Sequence, residues 1–132
     1  MHSILIAEDD PLLRRTVRAA LEKDLGAEVI ESADGAEALQ RLKSESGRRI
    51  GLALIDLNMP VIDGMGLLRQ IKKFMPKLPC IVLTGSDRME DAVEAMQLGA
   101  ADFISKPVQR ARLITSVRNA LELQTLKEEV KR

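Results

Sequence analysis

The sequence predicts an α/β fold, a doubly wound parallel sheet built from five strand–helix units. Short apolar runs alternate five times with amphipathic stretches of helical length, which demands crossover connections and parallel pairing. Capping and stop residues fall between these segments. Some strands are wholly apolar and others are not, which separates buried central strands from edges.

The predicted strands are Ile4–Ala7, Glu28–Ser32, Leu52–Ile55, Cys80–Leu83 and Asp102–Ser105. Asp10 and Pro11 start the first helix, whose apolar face is Leu13, Val17, Ala20 and Leu21 and whose stop is Gly26. Asp34, three before Glu37, opens the second, and Asp63 before Gly64 caps the third, with Leu67, Leu68, Ile71 and Phe74 turned inward. The fourth helix is expected to be capped by Asp87, three before Glu90. Met89, Ala92, Val93 and Met96 form its core face, and Gly99 ends it. The first, third and fourth strands are wholly apolar, whereas the second and fifth carry polar residues. Placing the latter outside gives the order 2-1-3-4-5, that of flavodoxin-like sheets.

A chain of 132 residues suits one domain. Lys plus Arg and Asp plus Glu each number 20, so the net charge is zero and no long-range field favours nucleic acid or a membrane surface. The single cysteine, Cys80, cannot form an internal disulfide. It opens an apolar run, where a buried and inert thiol is expected in a reducing compartment. No apolar run approaches a membrane span, and Met1-His2-Ser3 lacks the regions of a signal peptide, so the cytoplasm is expected. His2, the only histidine, sits in the terminal tail, which argues against histidine catalysis and histidine-rich metal sites.

In an open parallel sheet, sites form beyond the carboxyl ends of the strands at the switch point between the first and third. There the sequence places Glu8-Asp9-Asp10, Asp56-Leu57-Asn58, Thr84-Gly85-Ser86 and Lys106-Pro107. Clustered carboxylates repel one another and call for a hard cation, and all-oxygen ligation suits magnesium. In phosphoryl transfer Asp56 can act as nucleophile, Lys106 as a point charge and Thr84 as a hydrogen-bond donor to phosphoryl oxygens. Taken singly, Asp10 and Asp63 read as helix caps, Thr84 as a turn residue and Lys106 as a surface charge. Their joint placement at four strand ends favours chemistry.

The stretches Ile4–Asp10, Asp56-Leu57-Asn58-Met59-Pro60-Val61-Ile62-Asp63-Gly64, Leu83-Thr84-Gly85 and Gly99–Pro107 resemble the receiver domain of two-component response regulators over nearly the whole chain. The resemblance implies a domain that takes a phosphoryl group from a sensor histidine kinase onto Asp56, with Mg2+ bound by Glu8, Asp9, Asp56 and Asn58. Asp9 and Asp56 would ligate directly, Glu8 through water and Asn58 through its carbonyl. Thr84 and Lys106 match the switch hydroxyl and the phosphate-binding lysine. Phe103 matches the switch aromatic, with plain core packing as the competing reading. A cis Lys106–Pro107 bond is also implied. The acidic pair is Glu-Asp rather than the commoner Asp-Asp, and Ser86 lies where receivers vary and phosphoryl lifetime is set. Such a domain catalyses only its own phosphorylation and dephosphorylation, and it signals through the surface of the fourth helix, fifth strand and fifth helix.

Residues 1–122 suffice for that unit. The helical pattern continues through Leu123, Leu126 and Val130 amid Lys127, Glu128, Glu129 and Lys131, so residues 123–132 are expected to extend the fifth helix. This extension resembles the linker of enhancer-binding transcriptional activators. It is compatible with a covalently linked output domain and with a homodimer through the fourth helix, fifth strand, fifth helix and extension, the alternative being a solvated tail. A stand-alone phosphate-carrier or docking receiver is the other reading of function. A haloacid-dehalogenase-type phosphotransferase fits poorly, because position 58 is Asn rather than a second Asp and Asp56 follows the third strand. Neither glycine-rich nucleotide-binding pattern occurs.

Overall fold

The structure is a computed structural model that describes residues 3–59, 61–85 and 87–130, without the side chains of residues 46 and 127–130. His2, Pro60, Ser86 and Lys131, which the sequence singled out, lie outside the described residues, as do the side chains of Lys127, Glu128, Glu129 and Val130.

Five strands, β1 (Ser3–Ala7), β2 (Glu28–Ser32), β3 (Ile50–Asp56), β4 (Cys80–Gly85) and β5 (Asp102–Lys106), pair in parallel in the order β2-β1-β3-β4-β5. The helices are α1 (Pro11–Leu25), α2 (Gly35–Lys43), α3 (Gly64–Phe74), α4 (Met89–Gln97) and α5 (Arg110–Val130), with a short 3-10 turn at Glu45–Arg49 before β3. The expected fold and strand order are observed.

Alternation along each strand divides the interior into two cores. Leu5, Ala53, Ile55, Cys80 and Val82 face α2, α3 and α4. Ile4, Ile6, Leu52, Leu54, Ile81 and Leu83 face α1 and α5, meeting Val17 and Leu21 on one and Leu113 and Val117 on the other. Every residue of β1 and all but Gly51 of β3 are buried, as strands covered on both sides must be.

Helix starts follow the sequence in three cases. Asp10 accepts from the Leu12 amide, Asp34 from Glu37 and Asp63 from Gly66, at 3.0, 2.8 and 2.7 Å. Gly26 ends α1 in the left-handed region at φ 61°, where a side chain would be strained.

Three expectations for α3 and α4 are corrected. Asp87 does not cap α4: β4 runs on to Gly85, and the Arg88 amide bonds to the Gly85 carbonyl at 3.0 Å. That turn delays the helix to Met89 and leaves Arg88 as its cap, without a side-chain bond. The inward face of α4 is Ala92 and Ala95, both buried, whereas Met89, Val93 and Met96 are 50%, 51% and 40% exposed. Two small residues form the contact with the sheet, so the larger side chains on the adjoining arc are left outside. Phe74, at the last turn of α3, is likewise largely outside the core, with Lys43 Nζ 5.7 Å from its ring centre.

Candidate functional site

The strands deliver the site because they run further than their apolar cores suggest. Asp56 ends β3, Thr84 is the penultimate residue of β4, and Lys106 ends β5. Asp56 stands beside Leu83, and the β4–β5 register sets Gly85 beside Lys106. Glu8 follows β1 directly. These strand ends share one edge of the sheet at the β1/β3 switch point.

Glu8 is fully buried and Asp56 nearly so, while Asp9 is exposed. One carboxylate oxygen from each of Glu8, Asp9 and Asp56 lies within 4.8 Å of the others. Asp10 stands outside this cluster and caps α1. Lys106 Nζ reaches 3.2 Å from Asp56 Oδ1 and 3.4 Å from Glu8 Oε1. Asp56 Oδ1 also accepts from the Asn58 amide at 3.1 Å, and Glu8 Oε2 accepts from the Asp10 amide at 3.1 Å. Among the described residues, Glu8 Oε1 has no hydrogen-bond donor in good geometry. Its proximity to Lys106 is charge attraction rather than a directed bond.

Burial pushes the Glu8 carboxyl up to about 8, helped by a hydrogen bond from the protonated Glu8 to Asp56 and by the Asp56 charge, against the Asp10 amide and Lys106. Burial alone would lower the Lys106 ammonium; the charges of Asp56 and Glu8 reverse this and raise it above its ordinary value.

The loop after Asp56 folds tightly across it. The Gly64 amide donates to the Leu57 carbonyl at 3.2 Å, and a Cβ on Gly64 would overlap the Asp56 carbonyl and the Leu57 Cα. Glycine is required there by close approach. Asn58 is exposed in this loop, with its main-chain amide on Asp56. Thr84 is buried, and among the described residues its hydroxyl has only long contacts, 3.4 Å to the Arg88 carbonyl and 3.5 Å to the Gly85 carbonyl. Phe103 is half-buried against the α2–α3–α4 core and shares a cleft of about 420 Å3 with Lys106 and Arg112. The Lys106–Pro107 peptide is cis, as the resemblance implied.

The donors fit a small hard cation. All are oxygens, Asp9 opens to solvent, and a buried carboxylate oxygen on Glu8 lacks a donor that a cation or its water would replace. Cys80 is buried, and burial pushes its thiol up to about 11, so it is unreactive as expected. A more apolar cleft of about 640 Å3 lies at the opposite edge of the sheet among Ile4, Leu25, Ile50, Pro79 and Leu121, with no acidic side chain among the described residues that line it.

Sequence reasoning missed one contributor. Arg14 Nη1 donates to the Glu8 carbonyl at 2.7 Å, and Arg14 Nε pairs with Glu31 Oε1 at 2.9 Å. Its position one turn after Asp10 was a local signal, but its partners lie on other elements. Hydrogen bonds from Arg18, and then from Arg14, hold the Glu31 carboxyl below its usual range despite some burial.

A family model described as the response regulator receiver domain matches residues 4–118. The C4-dicarboxylate transport transcriptional regulatory protein DctD of Pseudomonas aeruginosa is 39% identical over 123 residues, 93% of this chain and 26% of that protein. The nitrogen assimilation regulatory protein NtrX of Azorhizobium caulinodans is 36% identical, over 98% of this chain and 28% of its own length. A receiver-domain crystal structure from Clostridium thermocellum superposes with a TM-score of 0.89 at 32% identity, covering 96% of this chain and 98% of that one. NtrX from Brucella abortus gives 0.89 at 36% identity, with 99% and 29% covered. The chain thus spans about a quarter of the length of these two curated relatives, 26% and 28%.

Proposed function

The chain belongs to the response regulator receiver domain family, and from that premise we propose that it takes a phosphoryl group onto Asp56 from a sensor histidine kinase. Phosphorylation by a kinase is the general function of the family, and receiver domains bind Mg2+ at an acidic pocket. The observation that carries the assignment is a buried Asp56 with Lys106 at 3.2 Å and two further carboxylates beside it.

Glu8, Asp9, Asp56 and the Asn58 carbonyl would hold the Mg2+, Glu8 acting through water. The cation supplies charge neutralisation between an attacking carboxylate and an anionic phosphoryl group. An Asp56 carboxylate oxygen attacks phosphorus, and the P–O bond forms as the P–N bond to the donor imidazole breaks, its electron pair leaving with the imidazole. Lys106 Nζ offers its N–H groups to a phosphoryl oxygen, and the self-phosphorylated aspartate is the product. The chain turns over no separate substrate.

The switch starts from Thr84, whose long contacts give its hydroxyl little to lose. It moves to a phosphoryl oxygen, the loop to Arg88 follows, and Phe103 turns into the space released. The surface of α4, β5 and α5 changes, and with it the exposed Met89, Val93 and Met96, which an output domain or partner reads. Residues 1–122 form the receiver unit of this cytoplasmic switch. Residues 123–132, which continue α5, serve as a linker helix that aids dimerisation and leads toward an output domain.

Intact mass after treatment with a small phosphodonor tests the site. Wild type gains a phosphoryl group only with Mg2+, and Asp56→Asn gains none. Undiminished labelling of Asp56→Asn overturns the assignment.

A further inference from the structure

Asp56 ends β3 while Glu8 and Asp9 follow β1, so something must fix the β1–α1 loop for the three carboxylates to meet at one point. The main chain of Glu8 is held from both sides. Its amide donates to the Ser32 carbonyl at 3.1 Å, and its carbonyl accepts from Arg14 Nη1 at 2.7 Å. The same guanidinium is anchored by Nε on Glu31 Oε1 at 2.9 Å, while Glu31 Oε2 takes Arg18 Nη1 at 2.6 Å. Ser32 is fixed in turn through its hydroxyl on the Ile6 carbonyl at 2.9 Å. Arg14 and Glu31 are only 19% and 27% exposed in their side chains, so the pair is partly shielded from solvent. A planar fork of donors suits this task, because one rigid group spans a carboxylate on β2 and a carbonyl at the end of β1.

We propose that Arg14, anchored on Glu31 of the edge strand β2, is a positioning residue that presets the Glu8–Asp9 segment for Mg2+. The inference rests on the assignment of the carboxylate cluster as the metal site. Arg14 touches neither metal nor phosphoryl group and acts through the Glu8 carbonyl. Its effect has a sign that separates it from simple charge. Removing a nearby cation would, by relief of Coulomb repulsion alone, tighten Mg2+ binding. Releasing the Glu8 main chain weakens it, because the cluster must then be reassembled on binding. Outer partners that orient metal ligands typically change affinity about 10- to 100-fold, so positioning should win.

Isothermal titration of the protein with MgCl2 tests this, since a chain without Trp or Tyr offers no intrinsic fluorescence readout of that kind. Arg14→Ala should bind Mg2+ about tenfold more weakly than wild type. Arg14→Lys should recover only part of the loss, because a single ammonium does not reproduce the fork. Glu31→Gln should shift affinity the same way, and combining it with Arg14→Ala should add little. Arg110→Ala, which removes an ion pair at the far end of α1, should bind as wild type. Affinity in Arg14→Ala equal to or tighter than wild type, with Asp56→Asn weakened, overturns the positioning role alone. Wild-type affinity in Asp56→Asn overturns the metal-site assignment and the inference with it. Should Arg14→Ala fail to fold, Arg14→Lys and Glu31→Gln decide the matter by the same criterion.

Discussion

Lys106 Nζ stands 3.2 Å from Asp56 Oδ1 at the end of a strand that does not pair with β3, and β4 lies between them. The contact spans the sheet edge, and Glu8 at 3.4 Å makes it a three-group cluster. Removing the ammonium leaves two buried carboxylates without their cation. Breaking a buried ion pair typically costs 3–5 kcal/mol, but Lys106 is 30% exposed and solvent screens part of this. Lys106→Met should therefore lose about 1–3 kcal/mol in urea unfolding with a chelator present. Mg2+ should restore more stability to the variant than to wild type, and equal midpoints in chelator would contradict the cluster.

Val61 has a positive φ of 70° and is 79% exposed. The left-handed region costs an L-residue about 1–2 kcal/mol. A glycine there releases that strain but adds about 0.5–1 kcal/mol of unfolded-chain entropy. Little packing is lost at so exposed a position, so strain relief wins. Val61→Gly should raise stability by about 0.5–1 kcal/mol in denaturant titration, and a lowered midpoint would refute the strain.

Asp102 takes a paired contact from Arg112 at 2.8 and 3.0 Å and the Ser116 hydroxyl at 2.7 Å. Burial disfavours its charged form, yet these bonds and the Phe103 amide outweigh burial and hold the carboxyl below its ordinary value. A group depressed in the fold contributes its stability above the unfolded carboxylate value of about 3.9 and loses it as pH falls through the folded value. Asp102→Asn should then be about 1 kcal/mol less stable than wild type near pH 7, allowing for screening. Urea midpoints measured toward pH 3 should converge, and a constant gap would exclude this linkage.

Leu123 and Leu126 are 52% and 57% exposed on the continuation of α5. Sedimentation of the chain with and without residues 123–132 should show concentration-dependent dimers only when the extension is present. Monomers in both samples would end its role in dimerisation.

Strand ends and caps were legible because their signals are local. Asp56 follows an apolar run, Asp10, Asp34 and Asp63 open helices, and all act where the sequence placed them in the fold. The strand order followed from which runs were wholly apolar, since a strand covered on both faces tolerates few polar residues. Asp87 misled because β4 ran two residues past its apolar core, and residue spacing does not reveal where pairing stops.

Periodicity drew a stripe along α4 but did not say which of its edges meets the sheet; the close approach at Ala92 and Ala95 turned Met89, Val93 and Met96 outward. The local chain thus determined the elements, their order and the acidic edge. Only tertiary packing chose the partners, among them Lys106 for Asp56 and Arg14 for the Glu8 carbonyl. Those contacts depend on register and side-chain reach between elements distant in the chain, and short-range sequence patterns do not encode such distances.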